Sequence, residues 1–499
     1  MRPKFVKIHK KDNVAIAISR IEKDEKIIVD NVKIQILNEI NQGHKIAIRD
    51  IEEGENIVKY GHVIGHATGR IKVGEWVHSH NVKTNLSDII NYKYEHTDFL
   101  NDKVLSDIPT FDGYKRRNGK VGTRNEIWII NTVGCVNTSA ERIAKICNER
   151  YKSENFDGVF AFAHPYGCSQ LGDDLTNTQK VLSGLMRNPN AGGVLVIGLG
   201  CENNQIKSLL RLATGIDEER LKSFNSQEVK DEIEEGIKLV GELFGIIKKD
   251  TRVKCPISDL TIGMKCGGSD GFSGISANSL VGRITDIISL QNGRIILSEV
   301  PEMFGAEQQL MNRAKSIDVY NKIVKMINSF KEYFISHNQV IYENPSPGNK
   351  DGGLTTLEEK SLGAIQKGGT TQINQVLDYG EEIEENGLAL LKAPGNDGVS
   401  ATAMTVSGAT LILFTTGRGT PLGFPVPTIK ISSNSDLFER KPNWIDFNAG
   451  KLLTGEKNMD ELTKELLKLI IDIASGKVNT KNEINENKEI AIWKEGVTL

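Results

Sequence analysis

The stretch TIGMKCGGSDGFSGISANS, residues 261–279, decides the predicted fold and the position of the candidate site. An apolar, strand-like run ends here in a Lys-Cys-Gly-Gly-Ser-Asp cluster, which predicts a strand followed by a loop. The glycines of this loop let backbone N–H groups approach a ligand closely, and Ser269 and Asp270 add a hydroxyl and a carboxylate. Together with Lys265 and Cys266, this set favours an anionic, hydroxyl-rich ligand.

Three other β-like runs also end in Gly-Cys, namely EIWIINTVGC at Cys135, GVFAFAHPYGC at Cys168 and GGVLVIGLGC at Cys201. Continuous Val/Ile/Leu/Phe runs separated by helical stretches indicate strands buried on both faces of a mostly parallel sheet. Ligands of open α/β sheets sit at the carboxyl ends of the strands. We therefore expect these thiols, together with Cys266 and with His164 of the second run, to face one crevice.

The composition describes an ordinary globular chain of two to four domains. Its 499 residues are 38% hydrophobic and 25% charged, and the formal net charge of −3 gives no basic field for nucleic acid. No apolar run reaches the about 18–20 residues of a membrane span, and no signal-peptide pattern opens the sequence, so we expect a cytoplasmic protein. Six cysteines form no disulfide framework in so long a chain. The thiols at strand ends are interpreted as reduced groups near a site; the alternative is that each is a small buried residue.

Four segments follow from the patterns. Residues 1–95 hold short β patterns separated by turn signals and predict a compact all-β domain. Residues 96–118 are polar and predict a linker. Residues 119–252 predict a first α/β domain, and residues 253–499 a second one with a C-terminal helical tail.

Two histidines of the β domain are candidate metal ligands. His78 and His80 flank one serine, and strand residues two apart point to the same face, so both imidazoles could reach one ion. The alternative is that they are surface residues or satisfied polar residues. Glu299 follows the short strand RIILS and is a candidate further ligand or proton carrier.

The last glycine-rich portion supplies a candidate carboxylate clamp. Arg418 lies between two glycines after the strand-like run LILFTT, and an arginine fork bonds a carboxylate in two places. The alternative is a structural ion pair. Asn396, in the turn PGND, is a candidate reader of substrate hydroxyls.

Several long motifs carry a resemblance to a known family. They are HPYGCSQLGDD (164–174), GLGCENN (198–204), MKCGGSDGFSGISAN (264–278), SEVPEMFGAE (298–307), SPGNKDGGLTTLEEKSLGAIQKGG (346–369) and FTTGRGTPLGFPVPTIKISSN (414–434). With them the chain resembles the altronate and galactarate dehydratase family. The first unit, with VIGHATG and VHSHNV, resembles the SAF (β-clip) domain at the front of those enzymes.

The resemblance implies an iron(II)-dependent hydro-lyase of hexuronate breakdown, with Mn(2+) as a substitute ion. The implied reaction converts D-altronate to 2-dehydro-3-deoxy-D-gluconate; galactarate dehydratase and sulfolactate sulfo-lyase are the alternatives within the family. A sugar-acid binding or sensing module is the alternative outside enzymes. A homodimer is the default assembly.

The residue patterns and the resemblance together predict a role for each candidate residue. Iron is placed on His78, His80 and Glu299. His164 or Lys265 is the base, and Arg418 is the clamp. The substrate contacts are Ser269, Asp270, Asn396, Cys168, Cys201 and Cys266. A competing hypothesis gives Cys135, Cys168, Cys201 and Cys266 to an iron–sulfur cluster.

Overall fold

The computed structural model describes residues 4–30, 32–87, 89–97 and 108–498. The first unit is all-β, as predicted. Its strands are β1 (Phe5–Val6), β2 (Val14–Ala17), β3 (Lys26–Val29), β4 (Val32–Gln35), β5 (Lys45–Ala47), β6 (Asn56–Lys59), β7 (His62–Ala67), β8 (Trp76–Val77) and β9 (Val82–Lys83). They form three antiparallel sheets, in the orders β1-β2-β5-β8, β3-β4 and β6-β7-β9.

The predicted linker is partly a strand. Residues 98–107 of it lie outside the described residues, but Thr110–Lys115 forms β10 and pairs antiparallel with β11 (Val121–Gly122). Phe111 and Tyr114 of β10 are buried, and this packing outweighs the polar residues between them. Polarity alone was therefore a poor guide to structure in this segment.

The next unit is a parallel α/β sheet. Its strands are β12 (Glu126–Asn131), β13 (Val159–Phe162), β14 (Ala191–Gly198) and β15 (Leu221–Asn225), and its helices are α1 (Asn137–Arg150), α2 (Gly172–Arg187), α3 (Ile206–Leu212) and α4 (Glu232–Ile247). The strand order is β13-β12-β14-β15. All six residues of β12 are buried, as its continuous apolar run predicts.

The largest sheet has seven parallel strands. After β16 (Val253–Pro256), which pairs with β10, come β17 (Thr261–Cys266), β18 (Arg294–Leu297), β19 (Ile373–Leu377), β20 (Gly387–Leu391), β21 (Leu411–Thr416), β22 (Thr428–Ser432) and β23 (Phe447–Asn448). The order is β19-β20-β18-β17-β21-β22-β23. The helices are α5 (Ala277–Leu290), α6 (Glu307–Met311), α7 (Ile317–Ser336), α8 (Pro347–Asp351), α9 (Leu357–Ala364), α10 (Asp397–Val406), α11 (Ser435–Arg440), α12 (Met459–Ala474) and α13 (Lys481–Ile484).

Apolar side chains cover both faces of this sheet. Met264 and Leu413 pack on one face with Leu280 of α5. Phe414 packs on the other face with Met404 of α10, in a core that also includes Trp128 of β12. The two parallel sheets therefore share a core, and the predicted α/β class with an N-terminal all-β domain is confirmed. Among the described residues, helices that combine the length and the apolarity of a membrane span are absent.

Candidate active site

The candidate site lies where the direction of winding reverses in the seven-stranded sheet. The chain leaves β17 toward β18 on one side and later returns to β21 on the other side. The loops that follow β17 and β21 touch: Gly267 donates its N–H to the carbonyl of Thr415 at 3.0 Å, and Arg418 donates its N–H to the carbonyl of Gly268 at 3.0 Å. Gly268 has φ +60°, a conformation that favours glycine. Ligands of open α/β sheets bind at such switch points.

Lys265 is fully buried at the end of β17. Its Nζ donates to the carboxylate of Glu299, to Asp397 Oδ1 at 2.8 Å and to the carbonyl of Cys266 at 2.7 Å. Burial by itself lowers the pKa of Lys265, but the two carboxylates outweigh burial and raise that pKa above its ordinary value. The ammonium group therefore stays charged, which argues against the predicted role of Lys265 as the general base.

Glu299 connects this lysine to a second one. Its Oε2 accepts from Lys367 Nζ at 3.0 Å and from the backbone N–H of Cys266 at 3.1 Å. Glu299 has φ +71°, in the left-handed region that non-glycine residues rarely occupy. Such strain persists only where the surroundings hold it and is concentrated at functional sites.

Cys266 is the buried thiol of the cluster. Its Sγ lies 2.7 Å from Lys367 Nζ and 3.1 Å from Glu302 Oε2. Burial, reinforced by the nearby carboxylates, raises the pKa of the thiol to about 12. Cys266 is therefore a neutral thiol near pH 7 and donates its proton toward Glu302.

A third lysine completes the cluster. Lys360 of α9 lies 2.8 Å from Glu302 Oε1 and also donates to Asn344 and Asn349, at 2.9 and 3.1 Å. Burial alone would raise the pKa of Glu302, but Lys360 and its neighbours outweigh burial and lower that pKa to about 2. Glu302 is therefore a carboxylate held between a thiol and an ammonium group.

A pocket of about 620 Å³ opens beside this cluster. Its walls come from the loop after β17, from the segment around α8 and from the start of α10, and its lining includes Cys266, Gly268, Glu302, Lys350, Lys360 and Asp397. The side chain of Asp397 is 33% exposed, whereas its partner Lys265 is fully buried. The volume is in the range of small-molecule sites.

Of the residues predicted to contact substrate, Asn396 lies at this pocket, whereas Arg418 lies beside it and is not among the lining residues. Asn396 lines the pocket and caps α10, because its Oδ1 accepts from the N–H of Val399 at 3.1 Å. Arg418 is exposed, and its guanidinium has no hydrogen bond or ion pair to any described residue. Its backbone is tied to Gly268, which lines the pocket. A free guanidinium at this position suits a carboxylate.

Asp270 and Ser269, which were also predicted to contact substrate, are bonded to other protein groups instead. The Asp270 carboxylate accepts from Ser273 and Ser433, both at 2.8 Å, and from Asn434 at 2.9 Å. With its acceptor positions filled, Asp270 holds the loop together and is a poor reader of substrate hydroxyls. Ser269 is buried, and its carbonyl accepts from Asn349 at 2.9 Å.

The structure does not bring the predicted iron ligands together. His78 and His80 lie in a turn after β8, not in a strand, so the premise that they share a face was wrong. His78 is buried beside Trp76, and burial lowers its pKa to about 3, whereas His80 is exposed. Within the described ranges, Cys266, Glu299 and Glu302 are the only three residues of the types His, Cys, Asp and Glu whose ligand atoms all lie within 4.8 Å of one another.

The remaining candidates lie on the four-stranded sheet and do not line the pocket. His164 is buried; its Nδ1 accepts from the N–H of Tyr166 at 3.2 Å, and its Nε2 lies 2.8 Å from the carbonyl of Asn131. Burial lowers its pKa, and both ring nitrogens are engaged, so His164 has no lone pair left for a general base. Cys168 and Cys201 are exposed. The strand-end thiols and His164 therefore do not share the single crevice that was predicted for them, because they lie in two separate sets of loops.

Sequence reasoning did not select Lys360, Lys367 or Glu302 as site residues. A usable signal was present in EEKSLGAIQKGG: α9 carries three consecutive charged residues, yet all of its residues are buried. Glu358 accepts from Thr84, Glu359 binds Lys45 and Lys59, and Lys360 binds Glu302. Buried charges occur in pairs, but the partners cannot be read from sequence.

The fold and the site define an α/β protein with a β-rich N-terminal domain and a buried lysine–carboxylate cluster at a polar pocket. Three family models match the chain: the Altronate/galactarate dehydratase SAF domain over residues 3–85, the second domain of D-galactarate dehydratase/Altronate hydrolase over 113–248, and the C-terminal region of D-galactarate/Altronate dehydratase over 257–498. The chain belongs to the altronate/galactarate dehydratase family, and the predicted family is confirmed.

Individual relatives match over nearly their full length. The chain is 49% identical to the altronate dehydratase of Bacillus subtilis (strain 168), over 99% of each chain. It is 48% identical to the altronate dehydratase of Escherichia coli (strain K12), over 99% of this chain and all of the relative. It is 35% identical to the L-threo-forming galactarate dehydratase of E. coli K12, over 95% of this chain and 94% of the relative. These relatives bear out the prediction of a hydro-lyase.

Proposed function

We propose that this protein removes water from a sugar acid and that its substrate is D-altronate, giving 2-dehydro-3-deoxy-D-gluconate. The observation that carries the reaction is a pair of ion pairs, Lys265–Asp397 and Lys360–Glu302, whose carboxylates line one pocket. The choice of altronate rests on the two altronate dehydratases among the relatives.

The pocket and the adjacent Arg418 supply a side chain for each step of the dehydration. Arg418 binds the substrate carboxylate, which becomes part of an enediolate when C2 loses its proton. Asp397 is the base that takes this proton, because it is the partly exposed carboxylate of the cluster. Lys360 gives a proton to the hydroxyl at C3 as the C3–O bond breaks, and water leaves. The resulting enol tautomerises to the 2-keto acid.

Lys265, Lys367 and Glu302 act through these groups. Lys265 holds the carboxylate of Asp397 in place through an ion pair, and Glu302 holds the ammonium group of Lys360 in the same way. Lys367 fixes Glu299 and the Cys266 thiol, which lines the pocket. Lys265 and Lys367 are positioning residues because neither lines the pocket, and Glu302 is one because its two oxygens are bonded to Lys360 and to the Cys266 thiol.

Ferrous iron, which the resemblance implies, does not fit the donor atoms at this pocket. Each side chain of the Cys266, Glu299 and Glu302 group is already bonded to an ammonium group of Lys265, Lys360 or Lys367. A divalent cation would meet these three buried positive charges at close range. No step is therefore assigned to a metal here. A requirement for iron or manganese, a homodimer and a cytoplasmic location stay predictions.

The test is an anaerobic assay of the purified chain with altronate, galactarate and sulfolactate, each with a chelator, with Fe(II) and with Mn(II). We expect a 2-keto acid from altronate at the highest kcat/KM. Tight altronate binding without product under every metal condition would instead support a sugar-acid binding module. Faster turnover of galactarate or sulfolactate would replace altronate as the substrate. In the variant His80→Ala, unchanged metal dependence would remove His80 from any metal site.

A further inference from the structure

A second set of strand ends carries chemistry that the proposed dehydration leaves unused. In the four-stranded sheet the chain runs from β12 to β13 on one side and returns to β14 on the other side of β12. The carboxyl ends of β12 and β14 therefore mark a second switch point, the place where open α/β sheets bind ligands. Cys135 follows β12, Cys168 follows β13 and Cys201 follows β14.

The three thiol-bearing loops are held against one another. Gly134 donates its N–H to the carbonyl of Tyr166 at 2.9 Å, and Asn204 donates its N–H to the carbonyl of Gly167 at 3.0 Å. Gly167 has φ +100°, and a Cβ there would lie 2.0 Å from the carbonyl oxygen of Thr132. The close contact requires glycine and brings the loop of Cys168 onto the loop that leads to Cys135.

All three thiols are exposed, in contrast to the other three cysteines of the chain. Gln227 Nε2 donates to Cys201 Sγ at 3.5 Å. The helices α1 and α2, which begin just after Cys135 and Cys168, have no side-chain cap at their first turn. The first turn of α1 has no acidic residue and adds positive potential near Cys135, whereas Asp173 and Asp174 offset this effect in the first turn of α2.

Two buried acceptors in the same loops are also open. The amide oxygens Oδ1 of Asn131 and Asn204 have no hydrogen-bond partner among the described residues, and both residues are fully buried. Buried amide oxygens usually accept a hydrogen bond, so these two oxygens can accept one from a group bound at these loops. Asn204 is anchored to the loop of Cys135 because its Nδ2 donates to the carbonyl of Thr132 at 2.9 Å.

The three thiols do not form a compact site for a single metal ion. Four-coordinate zinc, with Zn–S bonds of about 2.3 Å, needs sulfur atoms roughly 3.8 Å apart. Among the described residues, the sulfur atoms of Cys135, Cys168 and Cys201 do not all lie within 4.8 Å of one another. They are therefore too widely spaced to bind one zinc ion in this arrangement. An iron–sulfur cluster joins thiolates that are farther apart than the ligands of one ion.

We propose that Cys135, Cys168 and Cys201 bind an iron–sulfur cluster through three thiolates, with the three thiol protons released on binding. Three thiolates are one fewer than the four that saturate a [4Fe–4S] cluster, so one iron keeps an exchangeable position for water or an oxygen ligand. Cys266 is not part of this site, because its sulfur is buried between Lys367 and Glu302 on the other sheet. This inference is independent of the proposed dehydration.

The test is anaerobic reconstitution of the full chain with ferric iron, dithiothreitol as the reductant and sulfide, so that both ferrous and ferric iron are available, followed by removal of unbound reagents. We expect a broad visible absorption and about four iron and four sulfide per chain. Each of Cys135→Ser, Cys168→Ser and Cys201→Ser should lose most of the absorption and of the bound sulfide. Cys255→Ser, which changes a cysteine outside the site, is the matched control and should retain both.

A second measurement needs no variant. In the unmodified chain, iodoacetamide should label the three exposed thiols before reconstitution, and reconstitution should protect all three together. Iron without sulfide, zinc bound in preference at one ion per chain, or equal iron in all four variants would overturn the proposal. So would labelling of the three thiols that reconstitution leaves unchanged.

Discussion

Lys367 Nζ lies 2.7 Å from Cys266 Sγ and 3.0 Å from Glu299 Oε2, although Lys367 is 101 residues from the thiol along the chain. All three side chains are buried. A buried ammonium group between a neutral thiol and a carboxylate fixes the position of both.

Lys367→Met should lower kcat by about 100-fold, because small displacements of positioned groups have effects of that size. It should also lower the free energy of unfolding by about 3–5 kcal/mol, since Glu299 loses one of its two lysines in a buried site. Anaerobic turnover and urea unfolding measure the two effects. Lys322→Met, on an exposed position of α7, is the control and should change neither. A kcat near that of the unmodified chain would remove Lys367 from the site.

Arg418→Ala should raise KM for the sugar acid by about 10- to 100-fold, the value of a charge-assisted hydrogen bond of about 1.5–3 kcal/mol. Stability should change by less than about 0.5 kcal/mol, because the side chain is exposed and has no partner in the described part of the chain. Steady-state kinetics and thermal unfolding test this. Arg440→Ala removes an exposed arginine elsewhere and should leave KM unchanged. An unaltered KM in Arg418→Ala would exclude the carboxylate clamp.

Glu359→Gln should destabilise the chain by about 3–5 kcal/mol. Glu359 is the carboxylate between two fully buried lysines of the β domain, Lys45 at 2.8 Å and Lys59 at 2.7 Å. Without its charge, two ammonium groups remain buried together. Urea unfolding measures the loss, and the exposed Glu53→Gln is the control, with an expected change below about 0.5 kcal/mol. Equal stability of the two variants would show that the β domain does not depend on this contact.

Stability should depend on Glu302 at acid pH. The pKa of Glu302 is about 2 in the folded chain and near 4.5 when unperturbed, so the unfolded chain binds the proton more readily. The contribution of Glu302 is therefore complete above about pH 4.5 and is lost as the pH falls toward about 2. The free energy of unfolding of Glu302→Gln, measured across this interval, should fall less steeply than that of the unmodified chain. Parallel curves would contradict the lowered pKa.

Alkylation at pH 8 should separate two classes of cysteine in the chain without added metal. Cys266 and Cys147 have pKa values raised by burial to about 12 and about 11, so their thiolate fractions at pH 8 are at most on the order of one in a thousand. Cys135, Cys168 and Cys201 are exposed and should react first. Peptide mass spectrometry of a time course measures the order. Early labelling of Cys266 would contradict its burial in the cluster.

The sequence by itself determined the fold class, the family and the strand ends. Continuous apolar runs ending at Cys135 and Cys266 form the buried strands β12 and β17, because a strand covered on both faces needs apolar side chains at successive positions. These features depend on neighbours in the chain, which a sequence displays directly.

Only the tertiary structure decided which side chains meet. Lys360 and Lys367 reach the end of β17 because α9 lies between the β domain and the seven-stranded sheet, an arrangement that no local pattern encodes. The same packing satisfies Asp270 within its own loop and leaves the guanidinium of Arg418 without a partner among the residues that the structure describes. Composition can suggest that a charge is available for a ligand, but its pairing depends on contacts between residues far apart in sequence, and those form only when the chain folds.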